Sequence, residues 1–187
     1  MDTIVKRLIW EVRKGNQQAF SEIVELYKDK VFQVAYRMVG NLHEAQDVAQ
    51  EAFLRAFTNL DRFDIDRKFS TWIFRIATNV AIDRLRKKKP DYYLQEKVKG
   101  LDGLTYESQL ASDEESLDDQ VVSLERQEWV QTEINQLPPK YRTAIILKYI
   151  EDLSISEISD ILDIPPSTVK TRIHRGREAL RKRMRHV

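Results

Sequence analysis

Lys170, Thr171, His174 and Arg175 recur at spacings that place them on one face of a helix. Each is a residue type that can contact a phosphate or the edge of a base. Eight Lys/Arg fall between Lys170 and Arg185, against the single acid Glu178. A solvated helix usually interleaves signs and gains about 0.3–0.5 kcal/mol per i,i+4 pair. A helix that forgoes those pairs is suited to neutralising phosphates. A second constellation lies earlier in the chain, where Arg75, Asn79 and Arg86 form a polar stripe. An Asn amide both donates to and accepts from a base edge. Arg84 to Lys89 then supplies a cationic helix end, which suits both the helix dipole and phosphate.

Next to that stripe, Phe63, Lys68, Phe69, Trp72 and Phe74 mix aromatic rings with basic groups. Rings of this kind can stack on single-stranded bases, at about 1–3 kcal/mol per base. The same rings serve equally well as core, and the spacing leaves both readings open. Asp47, Gln50, Glu51 and Leu54 follow one another at i, i+3, i+4 and i+7. That strip fits either a solvated surface or a docking face for a basic helical partner. Catalytic chemistry finds little support. His43, His174 and His186 are far apart and have no metal-ligand companion at useful spacing. Gly100 to Gly103 matches neither phosphate-cradling pattern.

The elements that position these groups are legible as periodicity. Ile155, Ile158, Ile161 and Leu162 make one apolar stripe, which breaks at Asp163-Ile164-Pro165-Pro166. Ser167 is expected to cap the next helix, whose stripe is Val169, Ile173, Gly176 and Leu180. Gly176 falls where a small residue lets two helices approach closely. An ordinary αα-hairpin with a basic tail is the plainer alternative. Turn, cap, stripes and charge together favour a helix-turn-helix that presents its second helix to DNA.

Four helical segments are predicted upstream. They run from Asp2 to about Lys14, Gln17 to Val39, His43 to Leu60, and from a cap at Ser70 to about Lys88. Gly40-Asn41 is a stop signal, and Ala49, Ala52, Phe53 and Ala56 form the inward stripe of the third segment. Such segments should pack as a compact bundle over residues 1–90. Asp91 to about Asp119 lacks a sustained period and reads as an acidic linker (91–120), with helical periodicity resuming at Val121 in a second domain (121–187).

Composition agrees with an all-α chain of two small domains. The 187 residues include five glycines and no cysteine, which rules out disulfides and thiolate metal sites. No signal-peptide pattern and no apolar run of about 20 residues is present, so a cytoplasmic protein without membrane insertion is expected. The net charge of +1 conceals a partition. Residues 1–95 carry +4, residues 96–128 carry −7 and residues 129–187 carry +4. Two basic blocks therefore flank an acidic one.

The chain resembles the extracytoplasmic-function sigma factors, two-domain proteins that lend promoter specificity to bacterial RNA polymerase. The resemblance rests on AFSEIVELYKDKVFQVAYRMVGN, HEAQDVAQEAFLRAF and FSTWIFRIATNVAIDRLRKKK in the first domain. LPPKYRTAIILKYIEDLSISEISDILDIPPSTVKTRIHRGREAL carries it in the second. Several motifs in order are more specific than a helix-turn-helix alone.

That resemblance implies a role for each domain, the first corresponding to region 2 and the second to region 4. By the same resemblance, Asp47, Gln50, Glu51, Leu54 and Arg55 match the dock for the β′ clamp helices of core polymerase, and the β flap is a further expected partner. Asn59, Phe63, Lys68, Phe74 and Asn79, with Trp72 nearby, match positions that hold the −10 element. There a captured base would offset the few kcal/mol needed to unstack it. Lys170, Thr171, His174 and Arg175 match −35 readers, and Lys148 a phosphate contact. The acidic linker would thread channels of the polymerase. A membrane-bound anti-sigma factor and a cell-envelope stress regulon are expected, with no cofactor and no enzymatic activity. Two rivals are a free-standing helix-turn-helix regulator, which leaves residues 59–89 unexplained, and a nucleic-acid enzyme, which needs convergent carboxylates.

Overall fold

The computed structural model describes residues 2–88 and 129–184, and the regular elements among these residues are all helical. The predicted linker, the renewed periodicity at Val121 to Leu124 and the terminal Arg185 lie outside the described residues. Helices α1 (Asp2–Arg13), α2 (Gln18–Val39), α3 (Leu42–Thr58) and α4 (Phe69–Lys88) build the first domain, with a 3-10 turn at Leu60–Arg62. Helical residues 129–135 precede α5 (Pro139–Tyr149), α6 (Ile155–Leu162) and α7 (Pro166–Met184) in the second.

The corner between α2 and α3 forms where the stop signal was expected. Gly40 adopts φ 72°, and its N–H donates to the Tyr36 carbonyl at 2.8 Å. A residue without Cβ enters this left-handed conformation at little cost. Asn41 then caps α3, its side-chain oxygen accepting from the Glu44 N–H at 3.0 Å. The turn lets Ile23, Val31, Val34 and Met38 of α2 pack with Val48, Ala52 and Ala56 of α3, all fully buried. Ile73, Ala77 and Ala81 of α4 close that core. Burying each large apolar chain contributes roughly 1.5–3 kcal/mol, so these stripes hold the bundle.

Two predicted caps are displaced. Helix α4 starts at Phe69, with the Trp72 N–H donating to the Lys68 carbonyl, so Ser70 is already inside the first turn. Helix α7 starts at Pro166, not after Ser167, and the N–H groups of Thr168 and Val169 donate to the Pro165 carbonyl. Proline suits a first helical position because its φ is preset and its missing N–H would have had no partner there. Asp163, at φ 55°, ends α6 instead.

Gly176 fits the close approach expected of it. A Cβ there would lie 2.7 Å from Ile145 Cγ1, so α7 crosses α5 with no room for a side chain. The two domains also pack on each other. Their buried apolar residues form one connected cluster, with α2 against α5 and α4 against α5 and α6.

Candidate nucleic-acid interface

The loop between α3 and α4 is built around an aromatic cluster. Phe63, Phe69 and Trp72 lie with ring centroids 4.8–5.6 Å apart, and Tyr27 adds a contact to Phe69 at 5.2 Å. Phe63 is only 5% exposed and Phe74 only 3%, whereas Trp72 is half-buried. In this arrangement Phe63 and Phe69 support the loop from beneath, Phe74 belongs to the core side of α4, and Trp72 is the ring nearest the surface. Arg13 fastens the loop from outside the local sequence. Its guanidinium donates to the carbonyls of Leu60 at 2.9 Å, Asp61 at 3.3 Å and Phe63. Sequence reasoning missed Arg13, since nothing in its own turn signals a partner about 50 positions away.

Above this base, Lys68, Trp72, Arg75 and Asn79 follow at intervals of four, three and four, which keeps them on one face. Asn79 is exposed at the middle of α4. Asn59 is exposed at the C-terminal end of α3, where its side-chain amide donates to the Arg55 carbonyl at 2.8 Å. Arg84 pairs with Asp47 at 2.8 Å and Lys88 with Glu44, so part of the cationic end of α4 is tied to α3. Arg86 pairs within its own helix with Asp83 at 2.8 Å.

The remaining cations of this face meet the second domain. Lys68 Nζ lies 2.8 Å from Glu157 of α6, and Arg75 Nη2 lies 2.9 Å from Asp163 at that helix's end. Glu157 also completes a capping box with Ser154. Its carboxyl is held at about 2, first by Lys68 and then by the hydrogen bonds from Ser154. The Lys68 ammonium is correspondingly raised, chiefly by the same contact.

In the second domain, Lys170, His174 and Arg175 are exposed along α7, with Thr171 half-buried beside them. The Thr171 hydroxyl donates to the Ser167 carbonyl at 3.0 Å, and Arg175 reaches the Tyr141 hydroxyl at 3.4 Å. Val169, Ile173 and Gly176 face inward and fix the rotation of the helix. Lys148 sits apart from this row near the end of α5, donating to the Leu153 carbonyl at 3.3 Å.

The α3 strip is likewise on the surface. Asp47, Gln50 and Arg55 are exposed and Glu51 is half-buried and paired with Arg55. Leu54 is 66% exposed and adjoins a shallow groove lined by Phe20, Phe53 and Phe57. Leu54 and the half-open groove beside it together make a contiguous apolar patch, the kind of surface that suits a partner. Among the described residues no group of three or more His, Cys, Asp or Glu could hold a metal ion. None of the described helices is long and apolar enough to cross a membrane.

Residues 23–90 match the Sigma-70 region 2 family and residues 127–180 match Sigma-70, region 4. Over all 187 residues, and over the full length of both proteins, the chain is 60% identical to the ECF RNA polymerase sigma factor SigW of Bacillus subtilis. Among solved structures, CnrH in complex with the cytosolic domain of CnrY matches with a TM-score of 0.69 and 25% identity, over 98% of each chain. The sigma factor RpoE of Bartonella quintana, solved in complex with the anti-sigma factor NepR, shares the fold at a TM-score of 0.63 and 21% identity. That match covers 89% of this chain and 96% of the other.

Proposed function

Because the chain belongs to the extracytoplasmic-function sigma factors of the sigma-70 family, which are transcription initiation factors and not enzymes, we propose that it directs core RNA polymerase to promoters through two DNA readers, one per domain. The observation that carries this reading is the separation of two cationic faces onto two helical domains, one on α4 and one on α7. A free-standing helix-turn-helix regulator needs only the second.

Helix α7 enters the major groove of the −35 element with Lys170, Thr171, His174 and Arg175 toward base edges, while Lys148 holds phosphate. The first domain takes the −10 element as a single strand. Asn79 hydrogen-bonds an exposed base, Lys68 holds the backbone, and Trp72, supported by Phe63 and Phe74, packs against the strand or the duplex edge. Asn59 closes the other side of the loop. Capture of unstacked bases offsets the cost of opening the duplex, so melting needs no cofactor. Leu54, with Asp47, Gln50, Glu51 and Arg55, docks on the β′ clamp helices, and the second domain meets the β flap.

RpoE of Bartonella quintana was solved with an anti-sigma factor, which supports the same kind of control here. We infer that a membrane-bound anti-sigma factor sequesters this chain in the bacterial cytoplasm and that its regulon answers cell-envelope stress. The acidic segment, with Asp113, Glu114, Glu115, Asp118 and Asp119, would occupy polymerase channels until RNA displaces it.

The test is transcription from a promoter library by core RNA polymerase with and without the chain. Promoter-specific transcripts are expected, lost with Asn79→Ala and with Lys170→Ala combined with Arg175→Ala. Sequence-specific duplex binding by the chain alone, without core-dependent initiation, would make it a regulator instead.

A further inference from the structure

Helix α1 ends before residue 23, where the match to region 2 begins, yet it grips the loop between α3 and α4. In its last turn, the Arg13 guanidinium donates to the carbonyls of Leu60 at 2.9 Å, Asp61 at 3.3 Å and Phe63. Two turns earlier, on the same side of the helix, Lys6 lies 3.6 Å from Asp66 near the far end of the loop. The three carbonyls fall between Asn59 and Lys68, the loop residues proposed above to hold the −10 strand.

The loop's own hydrogen bonds are short turns. The N–H groups of Arg62, Phe63 and Arg67 donate to the carbonyls of Asn59, Leu60 and Asp64, and the Asp66 N–H donates to the Asp64 side chain. Such turns fix local shape and leave open where the loop sits on the bundle. Apolar packing of Phe63 and Phe69 beneath it is strong but non-directional. Arg13 adds direction. Its planar fork of donors spans three carbonyls at once, whereas an ammonium acts as a point charge. Those carbonyls lie just past the C-terminal end of α3, where the helix dipole also favours a cation.

The two anchors differ in weight. Lys6 and Asp66 are both largely exposed, and such a pair contributes little. Arg13 is exposed as well, but it makes three hydrogen bonds that link segments about 50 positions apart. On its removal water can reach the freed carbonyls, so the helical core keeps its packing. What is lost is the placement of the loop. A recognition constellation works only when its groups are held within about 0.5 Å of their productive geometry.

We propose that Arg13 is a positioning residue for −10 selectivity, holding residues 60–63 so that Asn59 and Lys68 face the same strand as Asn79. The inference rests on the sigma-factor reading above. It adds a determinant of base choice that lies outside the region 2 match and acts through the loop and not on DNA.

The test is transcription by core polymerase with the full chain, wild type or Arg13→Ala, from a promoter that the wild-type holoenzyme uses. Two altered templates carry one substituted base, in the −10 or in the −35 element. With wild type, each substitution should lower the yield roughly tenfold or more. With Arg13→Ala the −10 penalty should shrink to about threefold or less, while the −35 penalty stays. Arg13→Lys should give an intermediate −10 penalty, because an ammonium cannot span three carbonyls. Ile23→Val, a truncation in the core of α2, controls for lost stability and should leave both penalties unchanged. Circular dichroism establishes that each chain is folded, and Arg13→Lys carries the test if Arg13→Ala does not fold. An unaltered −10 penalty in a folded Arg13 variant overturns the inference. So does a −35 penalty that shrinks in parallel, or the same change with Ile23→Val. If the wild-type holoenzyme transcribes no promoter, it is the sigma-factor reading that fails.

Discussion

The guanidinium of Arg142, on α5, donates to the main-chain carbonyl of Met38, 104 positions earlier at the end of α2. The same group donates to the carbonyls of Asn135 and Leu137. Arg142 is 7% exposed, so one side chain satisfies three carbonyls at the meeting of the two domains.

Arg142→Met should therefore cost about 1–3 kcal/mol, the range for leaving buried polar groups without partners. The loss falls on the contact between domains through Met38 and on the second domain through Asn135 and Leu137. Denaturant unfolding followed by fluorescence should show a lower midpoint and a shallower transition, as the domains begin to unfold separately. An unaltered midpoint would mean that water replaces the arginine without loss.

Gly176→Ala should destabilise the second domain by roughly 1–3 kcal/mol through overpacking, because the new methyl meets Ile145 at 2.7 Å. Helix α7 would have to move off α5. Thermal unfolding of the chain and binding to a −35 duplex should both suffer, while binding of a −10 oligonucleotide should not.

Much of this was legible in the sequence, and the reason is local periodicity. The stripes of α3, α6 and α7, the Gly40-Asn41 corner and the close approach at Gly176 all follow from residues within a few turns of each other. The displaced starts of α4 and α7 were not, because Ser70 and Ser167 look like caps whether or not a proline or phenylalanine precedes them inside the helix. The roles of Phe63 and Phe74 stayed open since core and stacking rings share a composition, and the structure buries both. Arg13 on the loop carbonyls, Arg142 on Met38 and Lys68 on Glu157 had no sequence signature at all. Such pairings are decided by how helices dock, and a hydrophobic pattern reports only which face docks.

Leu54→Asp should weaken binding to core polymerase by about tenfold or more, the size expected of a hot-spot apolar residue. Its exposure means that folding loses almost nothing, so the melting temperature should stay within a degree or two. Equal loss of stability and binding would place Leu54 in the fold and not in a dock.

Acid should open the contact between the domains. The Glu157 carboxyl is held at about 2, below its ordinary 4.5, mainly by Lys68 and then by Ser154. A carboxyl depressed in the folded state contributes stability above its unfolded value, and that contribution is lost as pH falls through the folded value. Energy transfer between dyes on the two domains should hold above about pH 4.5 and decline from there toward pH 2. Glu157→Gln should remove that part of the response. An identical acid profile in the variant would show that the decline comes from other groups.

The joined core has a consequence for the order of events during synthesis. Contacts within α1 to α4 close short loops, whereas α2 meets α5 only after about 100 further residues have been made. At roughly 5–20 residues per second, the ~75 residues from Lys88 to Asp163 leave the first bundle complete for about 4–15 s before its cover arrives. For that interval each newly made chain presents Lys68 and Arg75 to the surrounding nucleic acid unguarded. The second half of the molecule thus acts on the first somewhat as a chaperone encoded downstream, arriving late and in one copy per chain.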